Sequence, residues 1–445
     1  YRCARGSFAA QPKRQNRPEI TFSGNTTPVY GKQCVNNSYP EHAPLVQFPV
    51  QDDCLQIGGI PLIRLVQRVG VTPFYAYDRQ KITERVALLR QHLPPDIHLH
   101  YAIKANPMPA VVQHLANLVD GMDVASAGEM RAALDTVLSP DRISFAGPGK
   151  KESELRCAIA AGVILNMESA QEMESIAQLG EYLGIVPKVA IRVNPDFELK
   201  SSGMKMGGGP KPFGVDAEQV PDMLTRLRAL GLDFFGFHIF SGSQNLNAEA
   251  IQQVHARTFQ LGIRLAENAS APVRMLNIGG GFGVPYFPGD RALNLPAIGE
   301  NLQRLMPEVK QKLPDVQIVI ELGRYLVAEA GIYVCRVLER KLSRGQIFLV
   351  TDGGLHHHLA ASGNFGQVIR KNYPVIIGNR VQGTKREIVS VVGPLCTPLD
   401  VLADQMQMAR ASADDLVVVL QSGAYGLTAS PTAFLGHPAP VEVLV

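Results

Sequence analysis

The hydrophobic pattern of the chain changes near residue 72. From there to about residue 330, short apolar runs of strand length alternate with amphipathic stretches of helical length. The segment 97–103 shows the strand period clearly, because its odd positions are apolar and its even positions are polar or small. Eight strands are predicted in this region, at 98–103, 121–125, 143–145, 163–167, 187–194, 233–240, 275–278 and 316–321.

Segments with a helical pattern lie between these strands. They are predicted at 109–119, 127–136, 152–161, 170–182, 217–229, 248–268 and 297–312. Alternating strands and helices of this number predict an α/β fold, a TIM-like (β/α)8 barrel, whose catalytic groups gather at the carboxyl ends of the strands. We therefore assign residues 72–330 to such a barrel.

A second pattern begins after about residue 331. Short β-branched segments at 332–338, 346–351, 374–377, 386–392 and 416–420 are separated by Gly, Pro and polar turns. They predict a second, mostly antiparallel β domain. We assign residues 51–71, including the apolar segment 55–65, to this same domain together with residues 331–445.

The first fifty residues differ from both patterns. Residues 1–50 are polar, rich in Asn, Pro and Arg, and lack the charged start, apolar middle and cleavage site of a signal peptide. We expect an N-terminal extension that is partly disordered.

Composition narrows the classes of function. Lys plus Arg is 43 and Asp plus Glu is 40, for a net charge of +3, and no basic run is long enough for a nucleic-acid footprint. No uninterrupted apolar stretch approaches the roughly 20 residues of a membrane span. The six cysteines form no CxxC pair, which fits a reducing compartment. We expect a soluble, cytoplasmic protein that binds a small molecule, and neither nucleic acid nor membrane.

A lysine stands where the first predicted strand ends. Lys104 belongs to the sequence YAIKANPM, with a helix-breaking Asn-Pro pair directly behind it. A lysine at a strand end can point into a cleft, where partial burial lowers its pKa and makes the amine able to form a Schiff base. A single lysine in such a place is more often a solvated loop residue, so this hypothesis depends on partners at the other strand ends.

Groups suited to an anion follow the seventh and eighth strands. Gly279, Gly280 and Gly281 leave backbone amides that can cradle a phosphate, and the loops after strands 7 and 8 are the usual phosphate site of such barrels. Glu321 and Arg324 follow the eighth strand. The guanidinium is suited to bidentate contact with phosphate or carboxylate, although the two residues can also form a local ion pair.

The sixth strand ends in rings and hydroxyls. His238 and Phe240 share one face, so either ring can cover a planar cofactor, and Ser241 and Ser243 add hydroxyls for its phosphate. Together these groups describe a pocket for pyridoxal 5'-phosphate (PLP), with Lys104 on its aldehyde. A carboxylate such as Glu321 at the pyridine nitrogen keeps that nitrogen protonated, so the ring accepts the electron pair left when a bond to the substrate's α-carbon breaks.

Six ordered motifs resemble those of the fold-type III PLP-dependent decarboxylases, the ornithine, arginine and diaminopimelate decarboxylase group with an alanine racemase-like fold. The resemblance runs from about residue 55 to the C-terminus. The motifs are YAIKAN at 101–106, DVASAGE at 123–129, NIGGGFG at 277–283, ELGR at 321–324, GPLC at 393–396 and GAY at 423–425.

The resemblance implies roles for particular residues. It implies Lys104 and Cys396 as catalytic residues, and it puts Phe240 where the family's stacking histidine usually lies. His238 lies two residues earlier on the same face, and we also take it as a catalytic residue. It also implies a head-to-tail homodimer with shared active sites, to which the β domain contributes Cys396, the donor of the proton that replaces CO2. The implied cofactor contacts are Lys104, Asp123, Arg192, His238, Phe240, Ser241, Ser243, Gly279, Gly280, Gly281, Glu321, Arg324 and Tyr425.

Departures from the family pattern bear on the substrate. Members that act on basic amino acids carry an acid after the cysteine, where this chain has Thr397, and the Arg-Pro-x-x-Tyr run of diaminopimelate decarboxylases is replaced by DGGLHHHLAASG at 352–363. CTPLD at 396–400, AGPGK at 146–150 and SGAYG at 422–426 are similar to motifs of specialised decarboxylases, which act on citrate-based siderophore precursors, carrier-protein-bound glutamate or substrates of exosortase-associated clusters. We expect a conjugated or unusual amino acid, with Thr397, His358 and Arg324 as substrate contacts and a carrier protein among the partners to be considered.

Several alternatives stay open. One is a diaminopimelate- or ornithine-type decarboxylase of a free amino acid. A fold-type III racemase is disfavoured, since that family places arginine where this chain has Glu321, and a non-enzymatic regulatory homologue is disfavoured by the presence of Lys104 and Cys396. The histidines at 356–358 do not predict a metal site, because adjacent residues on a strand point to opposite faces.

Overall fold

Eight parallel strands close into a barrel. The computed structural model describes residues 41–44, 46–198, 204–367 and 369–445, so the extension predicted at 1–50 lies mostly outside the described residues. The strand Gln317–Leu322 pairs with Ile97–Ala102, and Ile164–Met167 pairs with Lys188–Asn194, which completes the ring and confirms the (β/α)8 prediction. Barrel strands 1 to 8 are, in chain order, Ile97–Ala102, Gly121–Val124, Ile143–Phe145, Ile164–Met167, Lys188–Asn194, Asp233–Ile239, Met275–Gly280 and Gln317–Leu322.

Helices surround this barrel. The helix Arg79–His92 precedes strand 1 and was not predicted. It packs against the helices Leu295–Lys312 and Pro109–Ala116. Strand 8 is followed only by the short helix Arg324–Val327. A Cβ at Gly299 would collide with the carbonyl oxygen of His92, so glycine permits this close approach. The remaining barrel helices are Ala127–Leu134, Glu152–Ala161, Ala170–Leu183, Val220–Ala229 and Ala248–Ala266.

A second sheet of eight strands follows the barrel. Most of its pairings are antiparallel, as predicted; the exceptions are Gln346–Thr351 beside Arg386–Val392 and Val441–Leu444 beside Phe74–Tyr77. The strand Val401–Ala409 was not predicted, because polar residues interrupt its apolar pattern at the end of the sheet. The other strands of this sheet are Gly331–Ser343, Val375–Ile377 and Leu416–Val419.

The boundary between the two parts lies later than the sequence suggested. The strand Phe74–Tyr77 pairs antiparallel with Gly331–Ser343, so it belongs to the second sheet and the barrel begins at Arg79–His92 rather than at residue 72. An apolar run does not reveal which sheet it will join. The small sheet of Val50–Gln51, Cys54–Ile57 and Ile60–Pro61 and the helix Leu62–Val69 share a core with the second sheet, formed by residues such as Leu55, Leu62, Val334 and Val418.

Two short strand pairings lie at the mouth of the barrel. Val215–Asp216 extends the sheet beside strand 5, and Met204–Lys205 pairs with Gly242–Ser243 just past strand 6. Among the described residues, none of the helices has the length and apolar character needed to cross a membrane.

Candidate active site

A pocket opens at the carboxyl ends of the barrel strands. It joins the ends of strands 1, 6, 7 and 8 with a loop of the β domain. A wider groove on the outside of the barrel, between the helices Glu152–Ala161 and Ala170–Leu183, is lined by none of the predicted site residues. The pocket lining, within the described part of the chain, consists of Ala102, Lys104, Phe240, Ser243, Gln244, Gly281, Phe282, Glu321, Leu322, Gly323, Arg324 and Tyr425.

Lys104 reaches this pocket from the 3-10 turn Ile103–Ala105, directly after strand 1. Its side chain is accessible to solvent, and its Nζ lies 5.6 Å from the centre of the Phe240 ring. Desolvation is the largest influence on the pKa of Lys104 and lowers it, but Glu321, Tyr425 and Asp123 together outweigh it, so the pKa lies above its ordinary value. The expectation that partial burial lowers this pKa is therefore wrong for the chain as described, because the sequence did not place the carboxylate beside the amine.

The turn that carries Lys104 is fastened to the β domain. The backbone N–H of Tyr425 donates to the carbonyl oxygen of Ala105 at 2.8 Å, and the side-chain amide of Asn106 donates to the carbonyl oxygen of Gly423 at 3.0 Å. Tyr425 adopts a left-handed backbone conformation, with φ of 53°, to present its ring to the pocket. The β domain therefore helps to position the lysine.

Glu321 is buried at the end of strand 8. Its Oε2 lies 3.0 Å from Nε2 of His238 and accepts a hydrogen bond of 3.2 Å from the side-chain amide of Asn277. Desolvation alone would raise the pKa of Glu321, but His238, Lys104 and Arg192 hold it well below its usual range. The carboxylate is therefore ionised at neutral pH. His238, only 2% exposed, lies behind the pocket lining.

The opposite end of the pocket suits an anion. Arg324 donates from Nη1 to the hydroxyl of Tyr286 at 3.2 Å, and its guanidinium centre lies 4.6 Å from the centre of the Tyr425 ring. In the part of the chain that the structure describes, its close partners are tyrosines rather than carboxylates, so its charge is not neutralised. Desolvation lowers the pKa of Arg324, but Tyr286 and Tyr425 raise it above its ordinary value.

Glycines and hydroxyls complete this end. Gly279 and Gly281 have φ of 72° and 76°, in the region that favours glycine, and a Cβ at Gly281 would collide with the carbonyl oxygen of Gly242. The hydroxyl oxygens of Ser241 and Ser243 are buried and, among the described residues, have no hydrogen-bond partner. Buried polar atoms without partners are costly unless a ligand satisfies them. A turn of this kind, two available hydroxyls and an unbalanced guanidinium fit the phosphate group of PLP.

Asp123 and Arg192 lie beside the pocket in separate buried contacts. Asp123 accepts a hydrogen bond from the hydroxyl of Ser144 and lies 3.4 Å from Nδ1 of His100. Arg192 donates from Nη1 to Glu168 at 2.8 Å. Sequence reasoning did not single out Glu168, although it directly follows strand 4 and the rule that catalytic groups stand at strand ends would have found it.

Cys396 is exposed on the turn 393–400 of the β domain, outside the lining of the Lys104 pocket. Thr397 follows on the same turn, where its hydroxyl accepts a hydrogen bond from the backbone N–H of Leu399 at 3.3 Å. Asp400 closes the turn: its carboxylate accepts from the backbone N–H groups of Leu355 at 2.6 Å and Leu395 at 2.9 Å. A single chain therefore does not bring Cys396 to Lys104, and its supply by a second subunit stays a prediction.

His358 occupies the core of the β domain and not the pocket. Its Nδ1 accepts from the backbone N–H of Ala361 at 3.2 Å, so Nε2 carries the proton and donates to Ser422 Oγ at 2.9 Å. Desolvation lowers the pKa of His358 to about 3. The expected substrate contact is therefore not supported by this geometry. Residues 355–357 form a turn, and no strand includes 356–358 as we had assumed. The described residues contain no cluster of three metal-ligating side chains.

The fold and the pocket define a class of protein: a fold-type III PLP enzyme, with an α/β barrel, a β domain and a lysine at the barrel mouth. Residues 79–328 match the family model of the pyridoxal-dependent decarboxylases, pyridoxal binding domain. This chain belongs to that family of PLP-dependent decarboxylases. It is a carboxy-lyase that acts on an amino acid or an amino-acid conjugate.

Similar proteins include enzymes with different substrates. The chain is 41% identical to the L-glutamyl-[BtrI acyl-carrier protein] decarboxylase of Niallia circulans, over 84% of this chain and 88% of that protein. It is 32% identical to the diaminopimelate decarboxylase of Aquifex aeolicus, over 91% of this chain and 93% of that protein. The diaminopimelate decarboxylase of Helicobacter pylori complexed with L-lysine aligns with a TM-score of 0.76 at 26% identity, over 86% and 94%.

Proposed function

We propose that this enzyme removes the α-carboxylate from an amino acid whose distal end is joined to a larger group, such as a carrier-protein-bound glutamyl group. The observation that carries this proposal is the neutral Thr397 after the exposed Cys396. A free diamino acid brings a distal ammonium group, which is costly to desolvate without a carboxylate partner. Glu321 is the carboxylate of the described pocket lining, and His238 and Asn277 already engage it. A conjugated distal end carries no ammonium group and needs no such partner.

The relatives support the same direction. The Niallia circulans protein is named as acting on a glutamyl group bound to a carrier protein. A second relative, from Staphylococcus aureus, is 30% identical over 82% of this chain and 92% of that protein, and is named 2-[(L-alanin-3-ylcarbamoyl)methyl]-2-hydroxybutanedioate decarboxylase. Both names describe an amino acid joined to another group. They support our proposal that the enzyme serves a specialised biosynthetic pathway, of siderophore or related type.

PLP, when bound, supplies a ring that accepts the electron pair left on the α-carbon as CO2 departs. Lys104 would hold PLP through its Nζ, and Arg324, Tyr425, Ser241, Ser243 and the glycines 279–281 would hold its phosphate. Glu321, with a pKa held below its usual range, would remain ionised and keep a proton on the pyridine nitrogen. Asp123 and Arg192, fixed in the buried contacts described above, would contact the cofactor from the side of strands 2 and 5.

A homodimer with shared active sites would complete the reaction. Cys396 of the partner subunit would return a proton to the α-carbon, because Cys396 lies on the surface and away from Lys104 of its own chain. Apolar side chains exposed near this turn support a buried interface here: Asn364 donates to the carbonyl oxygen of Leu399 at 3.3 Å, and Leu399, Phe365 and Ile369 are all exposed. The four cysteines of the described residues are free, which agrees with a reducing, cytoplasmic location.

A substrate panel tests the proposal. The purified enzyme would be supplied with carrier-protein-bound glutamate, citrate-linked diaminopropionate, free glutamate, ornithine, lysine and diaminopimelate, and released CO2 would be measured. We expect turnover of a conjugate and little of the free amino acids. Thr397→Asp would add the missing carboxylate and is expected to raise turnover of ornithine or lysine. Rapid turnover of a free diamino acid by the unmodified enzyme would refute the conjugate proposal.

Mixed dimers test the shared site. Lys104→Ala and Cys396→Ala chains are each expected to be inactive. When mixed and allowed to exchange subunits, half of the dimers would contain both variants and each of those would regain one intact site, so about one quarter of the original activity should return. No recovery in a mixture shown by mass analysis to contain mixed dimers would contradict the shared site.

A further inference from the structure

Two nitrogen atoms lie close to one oxygen of the Glu321 carboxylate. Nε2 of His238 lies 3.0 Å from Oε2, and the side-chain amide of Asn277 donates to the same atom at 3.2 Å. All three side chains are buried, so water does not compete for these contacts. Glu321 also lines the pocket. With Oε2 engaged on the protein side, Oε1 is the oxygen available to a group in the pocket.

The barrel strands build this arrangement. His238 on strand 6 and Asn277 on strand 7 are paired residues of neighbouring parallel strands, and Glu321 stands at the end of strand 8. The Oδ1 atom of Asn277 also accepts from the backbone N–H of Gly279 at 2.8 Å. Asn277 therefore connects the Glu321 carboxylate, at one end of the pocket, to the glycine turn at the other end.

The two rings of strand 6 occupy different places. Strand 6 ends at Ile239, so Phe240 lies just past its end, where it lines the pocket near Lys104 Nζ. An added Cβ at Gly279 would lie 3.1 Å from Cδ2 of Phe240, so the phenyl ring packs directly on the glycine turn. His238 lies one full strand period deeper, against Glu321.

We infer that His238 is a positioning residue that, together with Asn277, fixes the Glu321 carboxylate so that its free oxygen faces the pyridine nitrogen of PLP, while Phe240 provides the ring surface of the pocket. This inference depends on PLP binding, which the family establishes, and not on the conjugated substrate proposed above. Its test can therefore be made without any substrate.

Variants of His238 separate positioning from simple packing. His238→Leu removes the nitrogen and keeps much of the bulk, whereas His238→Gln retains an N–H donor that can reach Glu321. For His238→Leu we expect PLP to bind about 10- to 100-fold more weakly, the range for losing a polar partner of a buried charge. The absorption of bound PLP should also titrate at a lower pH, because a misplaced carboxylate stabilises the protonated pyridine less. His238→Gln should restore both properties to near the original values.

Two further variants make the test decisive. Phe240→Leu should weaken PLP binding without changing the pH at which the absorption titrates, since the phenyl ring has no proton to hold. His255→Leu removes another buried imidazole, on the helix Ala248–Ala266, and should leave the spectrum unchanged. If His238→Leu does not fold, Asn277→Ala removes the side-chain amide that donates to Glu321, and it should also lower the pH at which the absorption titrates. An unchanged titration in His238→Leu or Asn277→Ala, or a His238→Gln variant as impaired as His238→Leu, would overturn the inference.

Discussion

The turn that carries Cys396 should depend on a single buried carboxylate. Asp400 is 2% exposed, and its two oxygens accept the backbone N–H groups of Leu355 and Leu395. Hydrogen bonds to a charged group contribute about 1.5–3 kcal/mol each. Burial offsets part of this and raises the pKa of Asp400, so Asp400→Ala should cost the turn at most about 3–6 kcal/mol. That is a large fraction of the roughly 5–15 kcal/mol by which a typical protein is stable.

We expect this loss to be concentrated near Cys396 rather than in the barrel. Asp400→Ala should therefore still bind PLP with an ordinary absorption spectrum, but its kcat should fall at least about tenfold, because the thiol is no longer held in one place. Asp400→Asn keeps one acceptor oxygen, so its kcat should lie between that of Asp400→Ala and that of the original enzyme. Asp315→Ala, at an exposed position after the helix Leu295–Lys312, is the matched control and should behave like the original enzyme.

The measurement combines a steady-state assay with coenzyme absorption and thermal unfolding. A normal kcat in Asp400→Ala, with the thermal midpoint unchanged, would show that the two hydrogen bonds do not hold the turn. Loss of coenzyme absorption together with activity would also refute the reasoning, because it would place the damage in the barrel.

Three other predictions concern the cofactor site and the buried histidines. Lys104→Ala should remove the absorption band of covalently bound PLP, and a band that persists after dialysis would contradict the assignment of this lysine. Arg324→Lys replaces a planar, bidentate donor with a point charge, so PLP should dissociate about tenfold more readily in a dialysis assay, whereas Lys310→Arg on the barrel surface should have no effect. Burial lowers the pKa of His255 to about 4 and that of His358 to about 3, so below pH 6.5 the unfolded chain takes up protons that these rings in the folded chain do not. As the pH is lowered from 6.5 to 4, the free energy of unfolding should therefore fall by about 1.4 kcal/mol per pH unit for each ring. If denaturant titrations show the same loss of stability per pH unit in His255→Leu as in the original enzyme, His255 does not contribute to it.

The barrel was predictable because its strands are buried on both faces. Each reads as a short apolar run bounded by polar residues, and the observed strands start and end close to the predicted positions. Edge strands, and strands that pair with a distant part of the chain, were harder to predict. Val401–Ala409 mixes polar and apolar residues at the end of its sheet, and Phe74–Tyr77 is apolar but joins the second sheet through pairing partners more than 250 residues away.

The candidate site was predictable where one residue at a strand end is informative by itself. Lys104, Glu321 and Arg324 belong to this group, and all three line the pocket. Asn277 and Glu168 gain their meaning only from partners on neighbouring strands, which a sequence does not display. The different positions of His238 and Phe240 were also hidden, because alternation places both on one face and only the end of strand 6 at Ile239 separates them.

The hydrogen bonds from Tyr425 to Ala105 and from Asn106 to Gly423 limit how freely the two domains can be recombined. Residues from two parts of the chain that are distant in sequence therefore hold the lysine turn together. The barrel is therefore not an interchangeable module. If the β domain were exchanged for that of a relative, the hybrid would have to form both hydrogen bonds again before the lysine turn could be held in the same position.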